Sequence, residues 1–357
     1  MNFLGILFLI YECSCATHSG RETHVDVWPA DITNIGRLFQ TMEDHNEQIT
    51  LKYTGRVPVW LRGNFYRNGP GKYEFGNDTF AHFFDPSAIV QRLEIRNSEI
   101  KYNSKYIETR NYLANKAANA ILYPEVGTWA EDFYVTHNED GSPIEDEAVI
   151  EAVSTILLNV IINCYIQNRC KYLTTHGPTD NADVSIIPVH GWLMAMTETS
   201  LVHLLDPHTL ETVHSVNLAD ASGRPEGLQI LTITAHGHID GNGDYWNMGS
   251  GMDFSGTVPM VAYFTYKIPN AGRTPEDMWV DPIDPAKFLD TIEFSMSFAH
   301  NSNPMDFSAR YFHMFSGTKN YLVLPLNSVA IEMDAFFDAC KNAKPLLEVS
   351  DFYLLFI

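Results

Sequence analysis

The chain has 357 residues, 45% of them hydrophobic and 12% aromatic, enough to bury one large β domain or two ordinary ones and too apolar to stay disordered. Its 44 acidic residues against 23 basic give a formal net charge of -21, which excludes nucleic acid and anionic headgroups as principal partners. Contact with a membrane would have to be made through an apolar patch.

Five cysteines, Cys13, Cys15, Cys164, Cys170 and Cys340, have no regular spacing, so neither a disulfide framework nor a zinc ribbon is expected. Residues 3–11 form a short apolar run before the small residues Ser14, Cys15 and Ala16, with no basic residue ahead of it. Residues 1–21 therefore read as a signal peptide or an N-terminal extension, and residues 22–357 as one domain. Alternation over 57–76 predicts a strand through Trp60 and Tyr66 that closes on a turn at Gly69-Pro70-Gly71. Residues 79–85 and 89–95 read as further strands about a turn at Asp85-Pro86-Ser87.

The β rhythm then breaks. Val149, Ile150, Val153, Ile156, Leu157, Val160 and Ile161 fall on one helical stripe, and Ser142, Pro143 and Glu145 supply the start signal of a capping box. The stripe is too short for a transmembrane span, so it reads as an amphipathic helix, packed on a sheet or facing a membrane. Strands return over 192–205, 210–218, 261–268 and 321–333. Many short strands between Gly, Asn, Asp and Pro indicate an all-β sandwich, barrel or propeller, and no fixed-period repeat chooses among them.

The chemistry gathers at residues 231–251, where His236 and His238 stand two apart in a strand-like run and would share a face. Imidazole is a common transition-metal ligand. With Asp240 the string approaches the His-x-His-x-Asp-His of binuclear zinc hydrolases, but Gly241 stands where the last histidine is needed. A zinc metallohydrolase is left as a distant alternative, and a hydrogen-bonded structural role is open to His238. His313 lies in an aromatic run with Tyr311, Phe312 and Phe315, where a polar ring needs a partner. Glu198, read as part of a strand, has the chemistry to hold a ligand histidine by its outer nitrogen, or else faces solvent.

These residues sit within a longer ordered series: residues 63–71 (GNFYRNGPG), 82–85 (HFFD), 179–181 (TDN), 197–199 (TET), 205–207 (LDP) with 210–212 (LET), 234–238 (TAHGH), and 311–313 (YFH) with 320–321 (NY). In this order they resemble the carotenoid cleavage oxygenases, above all the animal branch of β-carotene oxygenases and retinal pigment epithelium isomerohydrolase. The resemblance covers roughly residues 46–335. It implies a seven-bladed β-propeller around one Fe(2+) per chain, held by four histidines, three of them oriented by glutamates. Carried over by position, it makes His236 and His313 metal ligands and Glu198 the partner of His313, while His238 is not a ligand. It places Thr197 and Val184 near the vacant iron face.

The activity implied is an oxidoreductase acting on single donors with incorporation of oxygen: O2-dependent cleavage of a carotenoid double bond to apocarotenals or retinal. Isomerohydrolysis of a retinyl ester is the alternative activity within the family, and an inactive, truncated polyene-binding paralogue is the alternative of a different functional class. The family's membrane-dipping segment falls in the interval of the 149–161 stripe, which makes Val153, Ile156, Leu157 and Val160 the expected membrane contacts. A cytoplasmic or peripheral-membrane location follows, with the secretory pathway open through residues 1–16. The sequence departs from the pattern at Pro86, in place of the usual Gly, and over the divergent interval 134–177. The 44 residues after His313 contain no histidine, so the third and fourth ligands are absent from this sequence. It is expected to represent an N-terminal part of such a protein and to retain little iron.

Overall fold

The computed structural model describes residues 39–123, 125–128, 179–256, 260–270, 282–298, 309–310, 313–318, 321–323 and 330–331. Within them the first sheet draws on β1 (His45–Thr50), β2 (Gly63–Lys72), β5 (Ser87–Arg96) and β6 (Glu99–Tyr106), with a small hairpin of β3 (Glu74–Phe75) and β4 (Asp78–Thr79) ahead of β5. A helix, α1 (Arg110–Ala118), follows. The second sheet is a meander of β7 (Ser185–Val189), β8 (Trp192–Met196), β9 (Leu201–Leu205) and β10 (Thr212–Asn217). The third combines β11 (Leu228–Ile233), β12 (His238–Ile239), β13 (Tyr245–Asp253), β14 (Met260–Ile268) and β15 (Glu293–Phe298). Short pairs follow: β16 (Ala309–Arg310) with β19 (Ala330–Ile331), and β17 (Ser316–Gly317) with β18 (Leu322–Val323).

All three large sheets are antiparallel, and their tight turns come from residues that tolerate positive φ. Asn97 and Ser98 (φ 51° and 64°) join β5 to β6, and His190 and Gly191 (φ 51° and 87°) join β7 to β8. Such paired positive values match the right-handed twist of a hairpin.

The second sheet is apolar on both faces because it is covered on both. From β8, Trp192, Met194 and Met196 pack with Ile230, Phe264 and Tyr266 of the third sheet. Leu193 and Ala195, pointing the other way, pack with Val90 and Ile107 beside the first. Period-two alternation of a continuously apolar strand thus joins three sheets into one stack. Each such buried side chain stabilises by about 1.5–3 kcal/mol relative to exposure, so polar substitution at Met194 would part the second and third sheets.

Edge contacts set how the sheets meet. The Asn68 amide on β2 donates to the carbonyls of Ala182 (2.5 Å) and Ser185 (2.9 Å), and the Ser185 hydroxyl donates to the Ala235 carbonyl. Edge strands β2 and β7 and the chain leaving β11 are thereby drawn to one line, and that line ends at His236.

Several expectations need correction. No turn forms at Gly69-Pro70-Gly71, because β2 runs through to Lys72 with a bulge after Pro70. Pro70 is tolerated because the facing Ala88 uses its backbone elsewhere, its N–H on Asn181 Oδ1 and its carbonyl on Ile107 N–H. Of residues 79–85 only Thr79 is in a strand; Asp85 instead closes a turn on the His82 carbonyl, and its carboxylate accepts from Gly127 N–H and the Thr128 hydroxyl. The strand expected over 192–205 breaks at 197–200, so Glu198 lies in a loop. His313 likewise sits in a bend, not in a strand.

Helix α1 was not anticipated from periodicity, since its buried face is Asn111, Tyr112 and Asn115. Local chemistry makes it: Thr109 caps the start by accepting from Tyr112 N–H, and Asn119 ends it in the left-handed region. The stripe 149–161 with its contact residues Val153, Ile156, Leu157 and Val160, the capping box, and residues 1–21 lie outside the described residues. Among the described residues no helix is long and apolar enough to cross a membrane.

Candidate metal centre

The two histidines that resemblance assigns as ligands meet in space. His236 follows β11 and makes an isolated parallel bridge with Met314, the residue after His313. Their Nε2 atoms stand 2.8 Å apart, with ring centroids at 4.4 Å and planes inclined by 65°. The other nitrogen of His313, Nδ1, lies 2.5 Å from Glu198 Oε1. Glu198 is held where it can reach: Ile233 N–H, at the end of β11, donates to the Glu198 carbonyl at 3.2 Å. Thus 77 residues separate the histidines along the chain, and Glu198 is 115 residues from His313.

The arrangement fixes where protons sit. The Glu198 carboxylate only accepts, so His313 Nδ1 carries its hydrogen toward it, and in the neutral ring the lone pair of Nε2 faces His236. That hydrogen bond also raises the His313 pKa, while burial lowers that of His236 and keeps its ring neutral near pH 7. Two nitrogens bound at about 2.0–2.1 Å to one ion at a right angle would be about 2.9 Å apart, close to the observed separation. The donor set therefore fits a shared divalent first-row ion. Among the described residues no cluster of three or more His, Cys, Asp or Glu has metal-binding geometry, so the pair supplies two ligand atoms and no more.

The remaining site residues divide. His238 Nε2 is 2.8 Å from the Phe315 carbonyl, and its ring stands edge-on to Phe315 at 4.9 Å. It pins the His313 segment to β12 and does not join the imidazole pair. Asp240 accepts from Trp246 Nε1 and from the N–H groups of Asn242 and Asp244, so the His-x-His-x-Asp string does not converge on one point. Thr197 precedes Glu198, and Val184 N–H donates to the Met196 carbonyl at 3.3 Å, which places both at the end of β8 that carries Glu198. Tyr311 and Phe312 lie outside the described residues.

Sequence reasoning passed over the polar groups beneath His236. Thr234 and Asn247 are fully buried, and Tyr245 and Tyr266 are nearly so. The signal available was Asn247 in an aromatic, glycine-rich strand, a residue type that strands disfavour unless its amide is engaged. A second oversight is a set of buried carboxyls: burial lifts Asp85 to about 6 and Asp183 to about 7, and raises Glu125 well above the usual range.

Stacked antiparallel sheets whose edges lead to a carboxylate-braced imidazole pair define a β-sheet protein with a candidate transition-metal site. A sequence model of the retinal pigment epithelial membrane protein family matches residues 38–351, and the chain belongs to that family of carotenoid oxygenases. It is 28% identical to mouse β,β-carotene 15,15'-dioxygenase over 286 residues, which is 80% of this chain and 43% of that one. Carotenoid isomerooxygenase of Galleria mellonella is 24% identical over 311 residues, 87% of this chain and 51% of the relative. The chain thus spans about half the length of the curated relatives it matches. Among solved structures, lignostilbene dioxygenase of Pseudomonas brassicacearum superposes with a TM-score of 0.54 at 17% identity, covering 86% of this chain and 48% of that one, a likeness of fold.

Proposed function

We propose that the chain carries part of the iron centre of a carotenoid-cleaving dioxygenase, with His236 and His313 as two ligands of one Fe(2+) and Glu198 as the group that orients His313. The observation that carries this reading is the 2.8 Å approach of two Nε2 atoms, with the outer nitrogen of His313 anchored on the Glu198 carboxylate. Ferrous iron held by neutral imidazoles keeps its charge and open coordination positions, and so supplies O2 binding next to an alkene. The chain's own part is to present two lone pairs, keep the Nδ1 proton of His313 on Glu198, and flank the open side with Thr197 and Val184. Three sheets stacked face to face are consistent with successive blades of a seven-bladed propeller.

The substrate class is a long polyene, a carotenoid or retinoid, reached from a membrane surface through the apolar stripe at Val153, Ile156, Leu157 and Val160. Cleavage of a carotenoid double bond is preferred to isomerohydrolysis because the curated relatives quoted above are oxygenases by name. Cobalt(II) titration of the chain, followed by visible absorption, tests the site. Saturable binding of about one ion per chain, weakened at least tenfold by His236→Ala and by His313→Ala, is expected. Identical titrations for wild type and both variants would refute the assignment.

A further inference from the structure

The imidazole of a ligand is only as well placed as its main chain, and His236 has little regular structure around it. Strand β11 ends at Ile233, His236 makes a single bridge, and regular pairing resumes at His238. What holds the intervening chain is a buried knot of side chains. The Thr234 hydroxyl accepts the N–H of His236 at 3.1 Å and donates to Asn247 Oδ1 at 2.8 Å. Asn247 Oδ1 also accepts Met248 N–H at 2.8 Å, so its two incoming donors fix which end of the amide is oxygen. The amide nitrogen donates to the Thr234 carbonyl at 2.7 Å and faces the hydroxyls of Tyr245 and Tyr266, each at 3.0 Å. Thr234 and Asn247 are both 0% exposed, so every one of these bonds is shielded from competing water.

The knot is tied to the exit of β11 from both sides. Thr234 N–H donates to the Met248 carbonyl, which continues the β11–β13 ladder by one rung. Gly237 lies against the Tyr245 ring, where any Cβ would collide with the hydroxyl. The carbonyl of Ala235 is taken by Ser185. Main-chain groups of Thr234, Ala235 and His236 are therefore all pinned, which leaves the direction of the His236 side chain little freedom.

We propose that Thr234, locked by Asn247, is the positioning residue of His236: its hydroxyl fixes the His236 main chain so that Nε2 faces His313. The consequence for a bound metal rests on the reading of His236 and His313 as ligands given above. Neither Thr234 nor Asn247 touches the ligand atoms, and their effect is transmitted through the His236 backbone.

The test uses the full 357-residue chain with Thr234→Val, which keeps shape and removes the hydroxyl, Thr234→Ser, which restores it, and Asn247→Asp as a second break in the knot. Val90→Ala, in the core between the first and second sheets, serves as a control for general destabilisation. Two quantities are measured: amide exchange at His236 against exchange at Gly249 in the same sheet, and cobalt(II) affinity. Thr234→Val and Asn247→Asp are expected to speed His236 exchange at least tenfold with little change at Gly249. Cobalt affinity should fall by about 10- to 100-fold, the usual cost of losing a group that orients a ligand. Thr234→Ser should restore both, and Val90→Ala should alter neither selectively. Unchanged His236 exchange in Thr234→Val overturns the proposal, as does a rise shared equally by Gly249 and reproduced by Val90→Ala. If wild type takes up no cobalt while the exchange pattern appears as expected, the ligand reading fails and the positioning of His236 stands.

Discussion

Substituting Gly237 by alanine adds one methyl group at the point where the chain between the two histidines rests on Tyr245. The new Cβ would lie 2.5 Å from Tyr245 Cε2 and closer still to Cζ and the hydroxyl. Tyr245 is 1% exposed, its hydroxyl lies 3.0 Å from the Asn247 amide and 3.5 Å from Met196 Sδ, and the ring cannot swing without breaking those contacts. Overpacking of this kind costs about 1–3 kcal/mol, and one lost buried hydrogen bond about 1 kcal/mol more, so a loss of about 2–4 kcal/mol is expected. Gly241, four residues on, supplies the control: a Cβ there meets nothing within 4 Å, and its φ is not left-handed. Alanine at that position should be neutral or stabilising by about 0.4–1 kcal/mol through the unfolded chain. Urea unfolding of the two variants beside wild type measures the difference. Equal midpoints for Gly237→Ala and Gly241→Ala would refute the packing of the His236–His238 segment described above.

Three further outcomes follow from the titrating groups and the sequence. Asp183, lifted to about 7 by burial, binds its proton in the folded chain at pH values where the unfolded chain, titrating near 3.9, has lost it. Folding stability from this group therefore falls as pH rises from about 4 to about 7, and Asp183→Asn should gain on wild type between pH 5 and pH 8 in urea midpoint; a constant gap contradicts this. The raised pKa of His313 contributes stability that is full below about 6.5 and lost as pH climbs through the folded value. Glu198→Gln should lower that pKa, as read by imidazole NMR titration, and an unmoved titration would show that the carboxylate is not its partner. Ile156→Asp and Leu157→Asp should each reduce flotation with lipid vesicles, whereas undiminished flotation counts against membrane contact by this stripe.

What the sequence disclosed and what it concealed differ in physical kind. Period-two apolar runs made β8, β9 and β14 readable because they are buried against other sheets. The turn expected at Gly69-Pro70-Gly71 misled because a proline fits the strand once the facing Ala88 carbonyl takes its hydrogen from Ile107, a tertiary fact. Helix α1 escaped because its buried face is polar and its signals are caps. At the site, residue type and context marked His236, His313 and Glu198 one by one, but only their resemblance to a family pattern grouped them into one centre. Spacing alone favoured the pair His236 and His238, which share a short sequence interval but have different partners. Thr234 and Asn247 were invisible because a buried hydrogen-bond knot leaves no periodicity behind.

X-ray absorption at the cobalt edge of the cobalt-loaded chain tests the central claim most directly. Imidazole scattering from two ligands at about 2.0–2.1 Å, the range of histidine bound to a divalent ion such as zinc, is the expected result, with its loss in the His236→Ala, His313→Ala double variant. A bound ion with no histidine in its first coordination sphere, or a spectrum unchanged by the double substitution, would contradict the claim that these two residues share one metal.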